Sequence, residues 1–161
     1  MTRTKGVRQA AWLLIAVSGS LLLGALAFQF IGGLAPCEMC YWQRYAHLAV
    51  LAVAGLALIS GNRAIGWLAV LAMAIAAGLG LFHAGVELKW WQGVTACTAP
   101  VSAGMSTADM LDKLMNAPLV RCDQIPWSLL GISMAGWNAL ISAGAALCGA
   151  FVLIFTQRRP A

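Results

Sequence analysis

A chain of 161 residues that is 61% hydrophobic and 9% charged cannot dress a water-facing surface. Soluble domains carry about 25% charged residues, so this composition fits an integral membrane protein. The net charge of +5 comes without any long basic run, which argues against a nucleic-acid interface.

Residues 1–9 hold Arg3, Lys5 and Arg8 and no acid, and an apolar run follows over about 11–31. Some 21 helical residues reach roughly 31 Å, enough to cross the hydrocarbon of a bilayer. A basic start before an apolar stretch is also the pattern of a signal peptide, and Leu34-Ala35-Pro36-Cys37 resembles a lipoprotein cleavage box. The length of the stretch, the proline before the cysteine and the apolar segments downstream favour a membrane span. The second span covers about 41–60 and ends at the turn Gly61-Asn62-Arg63. The third covers about 65–82, with a helix that can continue toward Trp90, and the fourth about 129–155. Gly78 and Gly80 on the third, and Gly136, Ala139, Ser142, Ala143 and Gly144 on the fourth, offer small surfaces for close helix contact.

One long connection remains, about 83–128. Within it Ser106-Thr107-Ala108-Asp109 has the form of a helix start, and Met110, Leu111, Leu114 and Met115 would share one side of a short amphipathic helix. Such a helix fits either the membrane surface or the protein's own top. Trp90, Trp91 and Trp127 flank the loop as an interfacial aromatic belt would. The expected fold is all-α: a four-helix transmembrane bundle forming a single domain over 1–161, with a long extracytoplasmic loop.

Charge placement orients it. The N-terminus, the Arg63 turn and the C-terminus carry only basic groups: Arg3, Lys5, Arg8, Arg63, Arg158 and Arg159. The opposite side sets Arg44, Lys89, Lys113 and Arg121 against Glu38, Glu87, Asp109, Asp112 and Asp123. The positive-inside bias places both termini in the cytoplasm of a bacterial inner membrane. Cys37, Cys40, Cys97 and Cys122 then share the oxidising, periplasmic side. Cys148 falls inside the fourth span and reads as a buried small hydrophobe.

The chemistry concentrates at Pro36-Cys37-Glu38-Met39-Cys40-Tyr41-Trp42-Gln43-Arg44. A Cys-x-x-Cys spacing suits a reversible disulfide or half of a metal site. A helix starting near Cys37 places Cys37, Cys40 and Arg44 on one face. The helix N-terminus and the Arg44 guanidinium would both favour a thiolate. Cys97 and Cys122 bracket the long loop. They could clip it as a structural disulfide, which for a loop of this length is worth about 3 kcal/mol on the chain-entropy model. A zinc site built from all four cysteines is disfavoured, because such sites come as two close pairs, and no metal is expected. The redox reading passes two electrons by disulfide exchange from the loop pair to Cys37 and Cys40. From there a lipid-soluble acceptor, a quinone, takes them, with Arg44 at a quinone carbonyl. A snorkelling Arg44 at headgroup level is the plainer alternative. His83, near the outer end of the third span, could donate to a quinone oxygen, shuttle a proton or satisfy a neighbouring helix. His47 reads as a packing residue.

Four spans, Pro-Cys-x-x-Cys before the second with an arginine four residues on, and a second cysteine pair in the outer loop resemble the disulfide bond formation protein B (DsbB) family. So do His83-Ala84-Gly85-Val86-Glu87-Leu88-Lys89-Trp90-Trp91 and Leu130-Gly131-Ile132-Ser133-Met134-Ala135-Gly136-Trp137-Asn138. The resemblance implies a protein-dithiol:quinone oxidoreductase that reoxidises a soluble periplasmic DsbA-like thiol oxidase and reduces ubiquinone or menaquinone. It implies that Cys97 forms the mixed disulfide with the partner and that Cys122 is its mate. It further implies that Cys37 and Cys40 adjoin the quinone, with Cys40 the thiolate at the ring, and that Arg44 and His83 bind the quinone. The turn Gln124-Ile125-Pro126-Trp127 departs from the family pattern. The competing readings are a non-enzymatic membrane scaffold with two structural disulfides, a quinone-epoxide reductase-like enzyme and a metal transporter. The enzyme usually carries its Cys-x-x-Cys near the end of a late span, and the transporter would want more ligands within the spans.

Overall fold

The computed structural model describes residues 2–94 and 120–156, together with 106–108, 111 and 115. Helix α1 is Thr2–Phe30, α2 Glu38–Ser60, α3 Arg63–Glu87 and α4 Met134–Phe155. The loop helix expected near 106–115 lies largely outside the described residues, and Cys97 lies outside them altogether.

Local chemistry sets the helix ends. Cys37 caps α2, its Sγ accepting from the Cys40 N–H at 3.4 Å. Gly61 ends α2 in the left-handed region (φ 61°), its N–H donating to the Ala57 carbonyl. Asn62 then starts α3 by accepting from the N–H groups of Ala64 and Ile65. One residue that tolerates positive φ and one that caps an N-terminus suffice to reverse the chain.

Two boundaries differ from expectation. The apolar run from about 129 does not open as helix. Ser128–Leu129 and Ile132–Ser133 pair as a two-stranded antiparallel hairpin, β1 and β2. Its two-residue turn, Leu130 (φ 53°) and Gly131 (φ 78°), has both central φ positive, as a type I′ turn requires. No α-helix contains such residues, so α4 waits for Ser133, whose Oγ accepts from the Gly136 N–H. Helix α3 runs past residue 82 to Glu87 and stops short of Trp90, because Lys89 (φ 62°) turns the chain back.

The helices form an antiparallel ring in chain order, with α1 closing against α4. At one end Thr4 packs against Gly61 and Gly6 against Thr156. Toward that end the core is mostly small: Ala10, Ala11, Ala54, Ala57, Ala69, Ala145 and Ala146 pack around Val7, Leu14, Val50, Met73 and Leu153. Small residues let helix backbones approach closely where no water drives association. Leu23, Leu56, Leu68 and Leu147 face outward, as lipid-facing side chains do. Among the described residues four helices are long and apolar enough to cross a membrane. The protein is a multi-pass membrane protein.

Gly80 marks a close α3–α4 contact: a Cβ there would lie 2.9 Å from the Ala139 backbone nitrogen. Gly78, also expected to serve close contact, has nothing within 4 Å of its Cβ position. Gly80→Val should therefore lower stability by about 1–3 kcal/mol through overpacking, whereas Gly78→Val should stay within about 0.5 kcal/mol of the parent. Unfolding of the detergent-solubilised protein checks both.

Candidate active site

At the end of the bundle opposite the termini, the alanine core gives way to sulfur and polar groups. Cys37 Sγ and Cys40 Sγ lie 2.9 Å apart as free thiols. Cys37 is buried, while Cys40 is half-buried. The hydrogen bond with Cys40, and then burial, push the Cys37 thiol well above its usual range. Cys37, Met39, Val86 and Cys122 form one buried cluster, so the loop cysteine arrives beside the first sulfur of the pair.

His83 reaches this cluster from α3. Its Nε2 is 3.7 Å from Cys37 Sγ, 3.2 Å from the Cys122 carbonyl oxygen and 3.9 Å from Glu87 Oε1. Its Nδ1 is 2.7 Å from Gln43 Nε2. The ring thus sits between Gln43 on one edge and the Cys37 sulfur, the Cys122 carbonyl and Glu87 on the other. Beyond Gln43 the contacts continue: Asn138 Nδ2 donates to Gln43 Oε1 at 2.7 Å, and His47 Nε2 is 2.8 Å from Asn138 Oδ1. His47, expected to be a packing residue, is buried and also contacts Ser18 through Nδ1. Among the described residues every buried side-chain nitrogen and oxygen has a partner.

Arg44, one turn after Cys40, points across to α1. It donates to Gln29 Oε1 at 2.5 Å and to the Ala25 carbonyl at 3.2 Å, and lies over the Tyr41 ring. A cavity of about 570 Å³ opens between these elements. Cys37, Cys40, Gln43, Arg44, His83 and Glu87 all line it, as do Leu21, Ala25 and Phe28 of α1 and Met134 and Trp137 of α4. The turn Gln124-Ile125-Pro126-Trp127 closes its outer side, with the Trp127 and Phe28 rings 4.8 Å apart. Cys40 and Arg44 therefore face one space.

The loop carrying Cys122 is pinned from above. Asp123 accepts from Lys89 at 2.6 Å and from Arg121 through Nε and Nη2, and Lys89 also donates to the Asp123 carbonyl. Arg121 first, and then Lys89, hold the Asp123 carboxyl well below the usual carboxylate range. Trp91 folds back over Gly85, donating to the Phe82 carbonyl at 3.0 Å.

Sequence reasoning missed Gln43, Asn138 and Glu87. Glu87 was counted with the outer charges, yet it is buried and accepts a hydrogen bond from the Ser133 hydroxyl. The available signal was a polar residue inside an apolar run, which membrane spans keep only when it is paired. Cys148 is corrected in the opposite sense: it is exposed on the bundle surface, since its position on α4 turns outward toward lipid.

The fold and site define a multi-pass membrane protein with a dithiol at one end of a four-helix bundle, a second cysteine folded against it. A family model described as "Disulfide bond formation protein DsbB" matches residues 7–152. The chain is 31% identical over 151 residues to disulfide bond formation protein B of Marinobacter nauticus, covering 88% of this chain and 89% of that one. It is 30% identical over 151 residues to the protein of that name in Saccharophagus degradans, covering 89% and 91%. To that of Verminephrobacter eiseniae it is 32% identical over 148 residues, covering 86% and 80%. The chain belongs to the DsbB family of disulfide bond formation proteins.

The Asp123 clamp gives a test. A depressed carboxyl contributes stability that is fully present above its unfolded value, near pH 4, and is lost as pH falls further toward the folded value. Its partners are largely solvent-exposed, so the effect on overall stability should be small. Asp123→Asn should leave the unfolding midpoint at pH 7 nearly unchanged while making Cys122 severalfold faster to alkylate. Unchanged alkylation would show that the clamp does not seat the loop.

Proposed function

We propose that this protein is a protein-dithiol:quinone oxidoreductase of the bacterial inner membrane, with both termini cytoplasmic and the cysteine end periplasmic. It reoxidises a soluble DsbA-like thiol oxidase and delivers two electrons to ubiquinone or menaquinone. The observation that carries this reading is that Cys40 and Arg44 line one apolar cavity, while Cys37 and Cys122 share one buried cluster beside it.

The cavity suits a quinone. Its size falls in the range of small-molecule sites, roughly 300–1,000 Å³, and its walls are mainly apolar and aromatic, with a few convergent polar groups. Two bonds tie the guanidinium to Gln29 and Ala25, which leaves further N–H donors of its five for an oxygen in the cavity. When bound, the quinone supplies an acceptor for two electrons and two protons.

The family resemblance supplies the order of exchange for Cys97, and the burial of Cys122 in one cluster with Cys37 supports the step that follows. Cys97 forms the mixed disulfide with the partner and is resolved by the partner's second thiol, which leaves the partner oxidised and the loop pair reduced. The Cys122 thiolate then attacks Cys37 of the Cys37–Cys40 disulfide, since Cys37 and Cys122 are the two buried cysteines of one cluster while Cys40 packs at its edge. A Cys122–Cys37 bond forms, the Cys37–Cys40 bond breaks, and Cys40 leaves with the electron pair within the cavity that Arg44 also lines. The Cys97 thiolate next regenerates the loop disulfide and releases Cys37. Arg44 holds positive charge where negative charge grows. His83, with one ring edge on Gln43 and the other toward Cys37, orients the Cys37 sulfur and also lines the quinone cavity.

Purified protein, a reduced thioredoxin-like dithiol partner and a soluble quinone analogue should together show loss of quinone absorbance. A scaffold with static disulfides would resist the dithiol and leave the quinone unchanged. Arg44→Ala should raise the quinone KM by about tenfold or more, the worth of a hydrogen bond to a charged group, with little effect on folding. Unaltered quinone kinetics would remove Arg44 from the site. Cys122→Ala, given the partner in its disulfide form, should accumulate an adduct in which the partner's disulfide breaks as the Cys97–partner bond forms, and an adduct formed only through Cys37 would reverse the electron order.

A further inference from the structure

The buried contacts around His83 form a single row with one polarity. Two carbonyl oxygens, which only accept, fix its direction. The Cys122 carbonyl is 3.2 Å from His83 Nε2, so that nitrogen carries hydrogen. The Met39 carbonyl accepts from Gln43 Nε2 at 3.3 Å, so the amide nitrogen, not its oxygen, faces His83 Nδ1. Glu87 Oε1, 3.9 Å from Nε2, is a third acceptor on the same side. The rest follows by donor and acceptor count. Gln43 donates to His83 Nδ1, Asn138 donates to Gln43 Oε1, His47 Nε2–H donates to Asn138 Oδ1, and Ser18 Oγ–H donates to His47 Nδ1. Ser142 adds a second donor to Asn138 Oδ1.

Two consequences hold for His83. With a donor on Nδ1 it cannot become imidazolium without setting N–H against N–H, so the ring stays neutral. With hydrogen on Nε2 it presents no lone pair to Cys37. The donor atoms of Cys37, Cys40 and His83 lie within 4.8 Å of one another, and a metal held there would have to displace the hydrogen from Nε2. Cys37 Sγ then meets two N–H groups, His83 Nε2–H and the Cys40 N–H, and among these contacts the acceptor open to its own hydrogen is Cys40 Sγ.

We propose that Gln43, Asn138 and His47 are positioning residues that hold the His83 hydrogen on Nε2, direct the Cys37 hydrogen onto Cys40, and so keep the negative charge of the reduced pair on Cys40, the less buried of the two sulfurs. The inference rests on the proposed function only in taking Cys37 and Cys40 as a redox pair.

The chain contains two histidines, His47 and His83, so ring-¹⁵N labelling of the full protein in lipid nanodiscs resolves each tautomer. Both rings should show hydrogen on Nε2 and a bare Nδ1. Gln43→Glu places a carboxylate acceptor at Nδ1 and should move the His83 hydrogen there. Cys37 would then have a ring lone pair to donate to. In the reduced wild-type protein, a small alkylating agent at pH 7 should label Cys40 over Cys37 by about tenfold or more, as read by mass spectrometry. In Gln43→Glu that ratio should fall by a similar factor. Gln43→Leu, which leaves the ring hydrogen unpinned, should give an intermediate ratio and serves if the glutamate variant does not fold. Hydrogen on Nδ1 in the wild type, or a tautomer switch that leaves the labelling ratio unchanged, overturns the proposal. Quinone plays no part in either measurement, so failure of quinone turnover would sink the functional reading and leave this result standing.

Discussion

The hydrogen bond between Gln43 and His83, 2.7 Å long and buried between α2 and α3, is the contact on which the upper half of this bundle depends. In hydrocarbon a polar side chain has no water to turn to, and an unpaired amide or imidazole costs several kcal/mol. Gln43 and His83 are therefore tolerable only together, and each needs a second partner for its other end. Those demands propagate to Met39, Asn138, His47 and Ser18 in one direction, and to Cys122 in the other. The row runs through all four helices and ties the loop cysteine to them, so the place of the sulfurs is fixed by a requirement that begins far below them.

The two halves of the bundle solve different problems. The terminal half is dry and closely spaced, with alanines setting the helix separation. The cysteine half has its helices spread around a cavity, and close packing cannot hold it. There the links are specific: Gln43 to His83, Asn138 to Gln43, Arg44 to Gln29, and Ser133 to Glu87. A bundle that must keep an apolar space open beside a reactive sulfur trades contact area for directed bonds. Those bonds are also what orient the groups around the sulfur.

Much of this was legible in the sequence because the bilayer imposes simple rules. Apolar runs of span length announce four helices, and Pro36, Cys37, Cys40 and Arg44 announce where chemistry gathers. The Gln43–Asn138 bond was not legible. It joins residues 95 positions apart, and nothing in either neighbourhood names the other. The hairpin at 128–133 was hidden by its own hydrophobicity, since Leu129, Leu130 and Ile132 read as the start of a span. The signal was Gly131, which makes the left-handed turn possible. Glu87 looked like one more outer charge because hydropathy does not say which way a helix end faces. Cys148 failed in the same way, as α4 is apolar on its buried and its lipid sides alike.

Arg44 shows why the arrangement needs α1 as well. A guanidinium at the edge of hydrocarbon tends to leave for the headgroups. Here the Gln29 side chain and the Ala25 carbonyl take two of its N–H groups, and the Tyr41 ring lies beside it. The charge is thus retained inside the cavity wall instead of extending to the surface. Gln29 and Ala25 sit in the last turns of α1, where ending the helix a turn earlier would remove the Gln29 partner. The length of the first helix and the position of the cation beside Cys40 are therefore one constraint, seen from two ends of the same bond.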